Sequence, residues 1–257
     1  MNSPHPLRKD HLDSLAVGML LVCCMFWGFQ QVLVKTTVTQ IPPVFMSAVR
    51  GVGASLLLWL WCQWRGIRLF ERDGSLWGGL LVGSLFAAEF AFIYIGLQHT
   101  SASRLTVFLY TSPFWVAALV PLFIRSERLR PVQWVGMACA FAAVVFALRD
   151  GLSGGGATGD LMGLAAGALW GLTTVVIRAK NLTRIPAEKL LFYQIALSAV
   201  LLLGLSHLMA EPWTVHWSPF ALGSVALQAV VGAFASYLAW MWMLGRYPAT
   251  QISAFVF

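Results

Sequence analysis

Residues 25–35 read MFWGFQQVLVK, and residues 168–178 read ALWGLTTVVIR. Each stretch places Trp-Gly before a polar pair, three apolar residues and a cation, which is Lys35 or Arg178. Two further pairs of segments match in the same chain order: ASLLL at 54–58 with SAVLL at 198–202, and SASRLTVF at 101–108 with PATQISAF at 248–255. Such self-similarity at a nearly constant separation predicts an internal repeat.

The composition places these repeats in a membrane. Hydrophobic residues make up 59% of the 257-residue chain and charged residues 11%, against about 45–50% and roughly 25% in soluble proteins. The mean hydropathy is +0.76, so most of the surface must face lipid. A helix of roughly 20 apolar residues crosses a bilayer. Runs close to that length predict eight spans: Leu15–Val34, Pro42–Trp61, Leu76–Leu97, Leu105–Ile124, Val132–Leu148, Leu161–Ile177, Leu190–Leu208 and Phe220–Leu244. A ninth span begins at Ile252.

The number of spans in each repeat determines the architecture. Each repeat holds five spans, and because five is odd, the second repeat enters the membrane from the opposite side. We therefore predict an all-α integral membrane protein built from two inverted repeats of five transmembrane helices, with ten expected and about eight and a half present. The first repeat covers residues 15–148, a linker covers 149–160, and an incomplete second repeat covers 161–257. We expect the intact protein to carry the rest of the ninth span and a tenth.

The positive charge is distributed as in a membrane protein. The net charge of +7 could suggest a nucleic-acid partner. However, if the N-terminus is cytoplasmic, most of the 17 basic residues fall on the cytoplasmic side, and only Lys35 and Arg149 fall on the other. This asymmetry follows the positive-inside rule. We expect a multi-pass protein of the plasma (inner) membrane with a cytoplasmic N-terminus, a lipid bilayer around it and no nucleic-acid partner.

An ordered set of short motifs resembles a known family. The chain resembles the EamA-type family of the drug/metabolite transporter superfamily. The resemblance rests on Trp27-Gly28, on Arg50 within the second span, and on the run YTSP at 110–113, which is followed by LFIRSERL at 122–129 and by Gln133 and Gly136. The resemblance runs through the chain from about Leu15. It implies ten helices in two repeats and a secondary transporter that exports small metabolites, such as amino acids or amphipathic compounds.

Two charged residues lie near the middle of apolar spans. Arg50 and Glu89 are expensive to place there, so they are candidates for function. Their repeat counterparts are the neutral Gln194 and Ser236. Glu89 could bind a proton or a substrate amine, with Arg50 as its regulator or as a carboxylate anchor. Alternatively, the two form a structural ion pair between neighbouring helices.

Polar and aromatic residues related by the repeat are further candidates for substrate binding. The polar pairs are Gln30 with Gln31 and Thr173 with Thr174, which could line a cavity or bond one helix to another. Trp27 and Trp170 could form an aromatic wall for a substrate, although packing is the commoner role for aromatic residues in an apolar bundle.

Other classes of function have weaker support in the sequence. A membrane-embedded enzyme needs a cluster of catalytic side chains at one depth, and Arg50 with Glu89 is too small a set; a non-transporting scaffold is the other alternative. GGGATG at 154–159 fits a dinucleotide-binding pattern but follows a membrane helix, not a strand, so we interpret it as a linker. Small residues recur four apart, as at Gly163, Gly167 and Gly171, and we interpret this spacing as close contact between helices within the monomer, with a homodimer as an open alternative. We expect a small-molecule substrate and no catalytic residue, cofactor or metal.

Overall fold

The computed structural model describes residues 11–152 and 156–256, and all regular structure in these residues is helical. The α-helices are α1 (Ser14–Thr37), α2 (Pro43–Arg65), α3 (Leu76–His99), α4 (Ala102–Leu109), α5 (Ser112–Phe123), α6 (Pro131–Ala147), α7 (Ala157–Ala179), α8 (Ala187–Leu208), α9 (Pro219–Leu227), α10 (Tyr237–Arg246) and α11 (Ala249–Ala254). A π-helix, Gln228–Ser236, joins α9 to α10, and short 3₁₀ turns occupy Arg125–Glu127, Arg149–Leu152 and Leu182–Arg184.

Among the described residues, seven helical stretches are long and apolar enough to cross a membrane. Two of them are composite, because α4 with α5 forms one stretch and α9, the π-helix and α10 form another. The shorter α6 is an eighth apolar helix. The predictions of an all-helical chain and of eight apolar helices are confirmed, and α11 lies where the ninth span was expected to open.

The two composite spans depart from simple helices for different reasons. The fourth span is interrupted between Leu109 and Ser112, just before Pro113, which has no N–H to donate to the preceding turn. The Thr111 hydroxyl and the Thr111 backbone N–H both donate to the Phe108 carbonyl, at 2.7 Å and 3.1 Å, and so close a turn at the interruption. In the eighth span, the π turns contain Gly232 but no proline, and a single glycine does not by itself predict a π-helix.

Close helix packing depends on glycines in α7. This helix lies against α4 and α5, and a Cβ atom on Gly167 would come within 2.8 Å of the carbonyl oxygens of Leu109 and Phe108. A Cβ on Gly171 would lie 2.6 Å from the Cβ of Trp115. The four-residue spacing of small residues therefore serves contacts within this chain. The other extensive contacts join α2 to α8 and α3 to both α7 and α8.

The predicted linker, 149–160, overlaps the start of α7. That helix begins at Ala157, and Asp160 in its first turn bonds Arg104 of α4, with Arg104 Nε 3.0 Å from Asp160 Oδ1. Residues 157–159 of the segment interpreted as a linker are helical. Residues 154 and 155 lie outside the described part of the chain.

Polar contacts join the helix ends on both sides of the bundle. We call the side where α1 begins the N-side and the opposite side the far side. On the N-side, Arg178 Nε lies 3.1 Å from Glu127 Oε1, and the Ala249 backbone N–H donates to Glu127 Oε2 at 2.7 Å. On the far side, the Lys35 ammonium donates to the carbonyls of Leu97 and Thr100.

A short loop on the N-side is held by one buried lysine. Lys189, at the start of α8, donates to Asp73 Oδ2 at 2.7 Å and to the Glu71 carbonyl at 3.0 Å. Ser75 donates to the same carboxylate through its backbone N–H and its hydroxyl. Partial desolvation raises the pKa of Asp73, but the hydrogen bonds from Lys189 and Ser75 outweigh it and hold that pKa well below its usual value.

Candidate functional site

A cavity lies between the helices at mid-depth of the spans. Its free volume is about 70 Å³, below the roughly 300–1,000 Å³ of typical small-molecule sites. Side chains from both halves of the chain line it: Trp27, Gln30, Gln31, Val34, Phe86, Glu89, Phe90, Ile93, Tyr94, Leu109, Tyr110, Trp170, Thr173, Thr174, Ile177, Leu191, Gln194, Tyr237, Trp240 and Met241.

The structure places most of the candidate residues at this one cavity. Those that line it are Trp27, Gln30, Gln31, Glu89, Trp170, Thr173, Thr174 and Gln194. Arg50 and Ser236 do not line it. Ser236 lies directly behind Trp27, whose indole N–H donates to the Ser236 hydroxyl at 2.8 Å, and that hydroxyl donates to the Gly232 carbonyl at 2.5 Å. Ser236 thus fixes the orientation of a lining tryptophan.

Three tryptophans from three helices form one aromatic cluster in the cavity wall. Trp27 of α1 lies 5.7 Å from Trp170 of α7 and 5.7 Å from Trp240 of α10, measured between ring centroids. Trp170 and Trp240 are 6.0 Å apart. These distances and the tilted or edge-on angles are those of favourable aromatic pairs. The repeat pattern pointed to Trp27 and Trp170, whereas Trp240 resembled any other aromatic residue of a span.

Arg50 is buried among aromatic side chains and does not line the cavity. Its guanidinium carbon lies 4.1 Å from the centroid of the Phe90 ring, and its Nη1 lies 3.5 Å from the hydroxyl of Tyr237. An arginine over an aromatic face is stabilised by the ring quadrupole. No ion pair of the described residues joins Arg50 to Glu89, so aromatic rings, rather than a direct carboxylate contact, surround this charge.

Several buried oxygen atoms of the side chains that line the cavity have no hydrogen-bond partner among the described residues. They are Oε1 of Gln30, Gln31 and Gln194, Oε2 of Glu89, and the hydroxyl of Thr173. All five side chains are buried. Buried polar atoms are nearly always paired in folded proteins, so this group is unusual. Among the described residues, no three His, Cys, Asp or Glu side chains are grouped so as to hold a metal ion.

A chain of buried hydrogen bonds leads from the cavity toward the far side. The Tyr94 hydroxyl donates to Gln228 Oε1 at 2.7 Å, and Gln228 Nε2 donates to the Ser224 hydroxyl at 3.0 Å. The Ser224 and Thr37 hydroxyls are 2.6 Å apart. Gln228 was not among the sequence candidates, although a lone amide in an apolar span was a usable signal.

Comparison with protein-family models identifies the family of this chain. The model of the EamA-like transporter family matches residues 14–149 and again residues 157–257. The chain belongs to the EamA-like transporter family. The expected resemblance is thus confirmed, and this EamA protein is a multi-pass membrane protein.

Related EamA chains are named as transporters. An uncharacterized transporter of Archaeoglobus fulgidus is 26% identical over 97% of this chain and 84% of its own length. The transporter YoaV of Bacillus subtilis is 21% identical over 89% of this chain and 79% of its own length. A Salmonella typhimurium protein named "probable amino-acid metabolite efflux pump" is 22% identical over 96% of this chain and 81% of its own length.

The fold also has a counterpart among solved structures. One crystal structure superposes with a TM-score of 0.75 over 95% of this chain and 83% of its own, at 20% identity. That likeness shows a shared fold.

Proposed function

We propose that this protein is a secondary transporter that exports small metabolites, such as amino acids or amphipathic compounds, through the central cavity. The observation that carries the proposal is the cavity itself, where polar side chains of α1, α3, α7 and α8 converge at mid-depth beside three tryptophans. Membrane transporters typically bind substrate at this depth, between their repeats. The names of the EamA relatives agree with transport.

Alternating access between two inverted repeats is the mechanism we propose. Equivalent contacts in the two halves support it. Lys35 bonds the carbonyl of Leu97 at the end of α3, while its counterpart Arg178 bonds the carbonyl of Leu244 near the end of α10 at 3.2 Å. Each cation stabilises the end of a helix of its own half, where the carbonyls are unpaired.

A second pair of contacts points to the same symmetry. Asp13 accepts a hydrogen bond from the Tyr247 hydroxyl at 2.9 Å, and Asp160 accepts one from the Thr100 hydroxyl at 3.2 Å. Each acid stands at the start of the first helix of its half. We therefore propose repeats at 15–148 and from about 157, within a plan of ten spans and with the N-terminus in the cytoplasm.

Rearrangement of the walls is part of the proposed cycle. A free volume of about 70 Å³ is too small for a metabolite, so the helices must separate before a substrate binds. The unpaired oxygens then gain partners from the substrate, which contributes binding energy to the open state.

Flux through liposomes tests the proposal. The full-length protein, reconstituted and loaded with a panel of labelled amino acids, amines and amphipathic metabolites, should accelerate the exit of at least one of them over empty liposomes. Trp170→Ala should reduce that flux about 10-fold or more, because it opens the tryptophan cluster. If no compound in the panel crosses faster than in protein-free vesicles, the transport proposal is wrong.

A further inference from the structure

We propose that the cavity selects substrates carrying a protonated amine next to an apolar or aromatic group, in preference to carboxylates. This inference rests on the proposed transport function and names the chemical class that the same cavity binds.

The unpaired oxygens identify the missing partner as a donor. Glu89 Oε2, the Thr173 hydroxyl and the three glutamine Oε1 atoms belong to side chains that line the cavity, and they have no partner among the described residues. Gln30 Oε1 lies close to Gly232. An ammonium group brings three N–H donors and no acceptor, whereas a carboxylate brings acceptors alone. The ammonium can donate to the Glu89, Thr173 and glutamine oxygens alike, whereas a carboxylate can accept only from the Thr173 hydroxyl or a glutamine amide N–H.

The charges around the cavity favour the same class. Of the described residues that line it, Glu89 supplies the carboxyl group, and none is lysine, arginine or histidine. Arg50 does not line the cavity, and its guanidinium lies against the Phe90 ring and near the Tyr237 hydroxyl. An ammonium in the cavity can therefore meet the carboxyl group of Glu89, whereas a carboxylate meets no cation among the lining residues that the structure describes.

The tryptophan cluster provides the second half of the site. Trp27, Trp170 and Trp240 line the same cavity, with centroids 5.7–6.0 Å apart. Indole faces attract cations and stack against aromatic or aliphatic groups. The apolar part of an amine substrate can therefore lie against the indoles while its ammonium meets the oxygens.

Three ligands that share one ring and one chain length test the proposal. They are phenethylamine, phenylalanine and 3-phenylpropanoate, which carry a cation, a zwitterion and an anion. Binding to the reconstituted full-length protein is measured by tryptophan fluorescence, and transport by efflux from liposomes. Phenethylamine should bind about 10-fold or more tightly than 3-phenylpropanoate, the scale of one charge-assisted hydrogen bond, with phenylalanine between them.

Variants at Glu89 test whether this residue is the source of the preference. Glu89→Gln should bring the amine-to-carboxylate affinity ratio close to one, whereas Glu89→Asp should retain most of it. Glu71→Gln is the matched control, because Glu71 is an exposed loop residue, and it should leave the ratio unchanged. A ratio that survives Glu89→Gln overturns the assignment.

The wild-type protein decides the question even if Glu89→Gln does not fold. Equal or tighter binding of 3-phenylpropanoate contradicts the amine preference. If other metabolites are exported but none of the three phenyl compounds is, the substrate class is wrong and transport stands. If nothing at all is exported, the proposed function fails instead.

Discussion

At the scale of single residues, Arg50 and Glu89 are the two charges whose burial needs an explanation. Both are almost fully buried, at 2% and 5% exposure, and Arg50 lies against Phe90 rather than in an ion pair. The sequence predicted their depth, because both interrupt apolar runs. It could not predict which side chain faces the cavity, because that depends on the rotation of α2 against α3 and α8.

We predict that the double variant Arg50→Gln with Glu89→Ser folds but loses transport by about 10-fold or more. Removing both charges leaves no lone buried charge, and the second half already carries Gln194 and Ser236 at the corresponding positions. Size-exclusion chromatography in detergent checks folding, and liposome efflux checks transport. Full activity in this variant would remove both residues from the mechanism.

Asp73 gives a prediction for pH dependence. Its pKa is lowered on folding, so its carboxylate adds stability above the unfolded value of about 3.9 and loses that contribution only as the pH falls through the lowered pKa. The melting temperature of the wild type should therefore exceed that of Asp73→Asn by a constant amount between pH 5 and pH 8. A difference that shrinks over this range would contradict the Lys189 contact.

At the scale of elements, α7 illustrates what a spacing pattern can establish. Glycines four apart predicted a helix surface for close contact, and Gly167 indeed meets the backbone carbonyls of Leu109 and Phe108. The partner helix was not predictable, because the pattern contains no information about the opposing surface. The π-helix Gln228–Ser236 was not predicted either. Tyr94 and Trp27 donate hydrogen bonds to its first and last residues, and these contacts between distant segments cannot be read from its own sequence.

Gly167→Ala should destabilise the protein by about 1–3 kcal/mol, because the added methyl group must displace backbone atoms of α4. Gly136→Ala is the matched control, since a Cβ atom at Gly136 meets nothing within 4 Å. Both are glycines inside apolar helices, so their comparison separates close contact from helix propensity. Unfolding in detergent with increasing SDS measures the difference, and equal stabilities would argue against tight packing of α7.

At the scale of the whole molecule, composition and repeats predicted the apolar helices, whereas the sequence did not predict the contacts between distant segments. The apolar spans follow directly from the chain, because a helix that crosses lipid needs a nearly continuous apolar run. The buried pair of Glu127 and Arg178 was not predicted, because nothing in the basic stretch around Glu127 indicates a partner in a distant helix.

The orientation of the molecule is testable with two cysteines at opposite ends. In a background from which the four native cysteines are removed, Arg68→Cys lies on the N-side and His216→Cys on the far side, and both positions are exposed. An impermeant maleimide applied to intact cells should label position 216, and should label position 68 only after permeabilisation. The reverse result would place the N-terminus outside.

The ion pairs at the two sides of the bundle bear on the leakage of ions across the membrane. Arg104–Asp160 on the far side and Arg178–Glu127 on the N-side both join the two halves, and both are formed in this one conformation. A passage open at both sides would let small ions cross the membrane. A membrane potential of 100 mV drives that movement with about 2.3 kcal/mol for each unit charge. Because this conformation holds both pairs at once, we propose that the cycle passes through a state closed at both sides. A cell could then export a solute without discharging its own membrane.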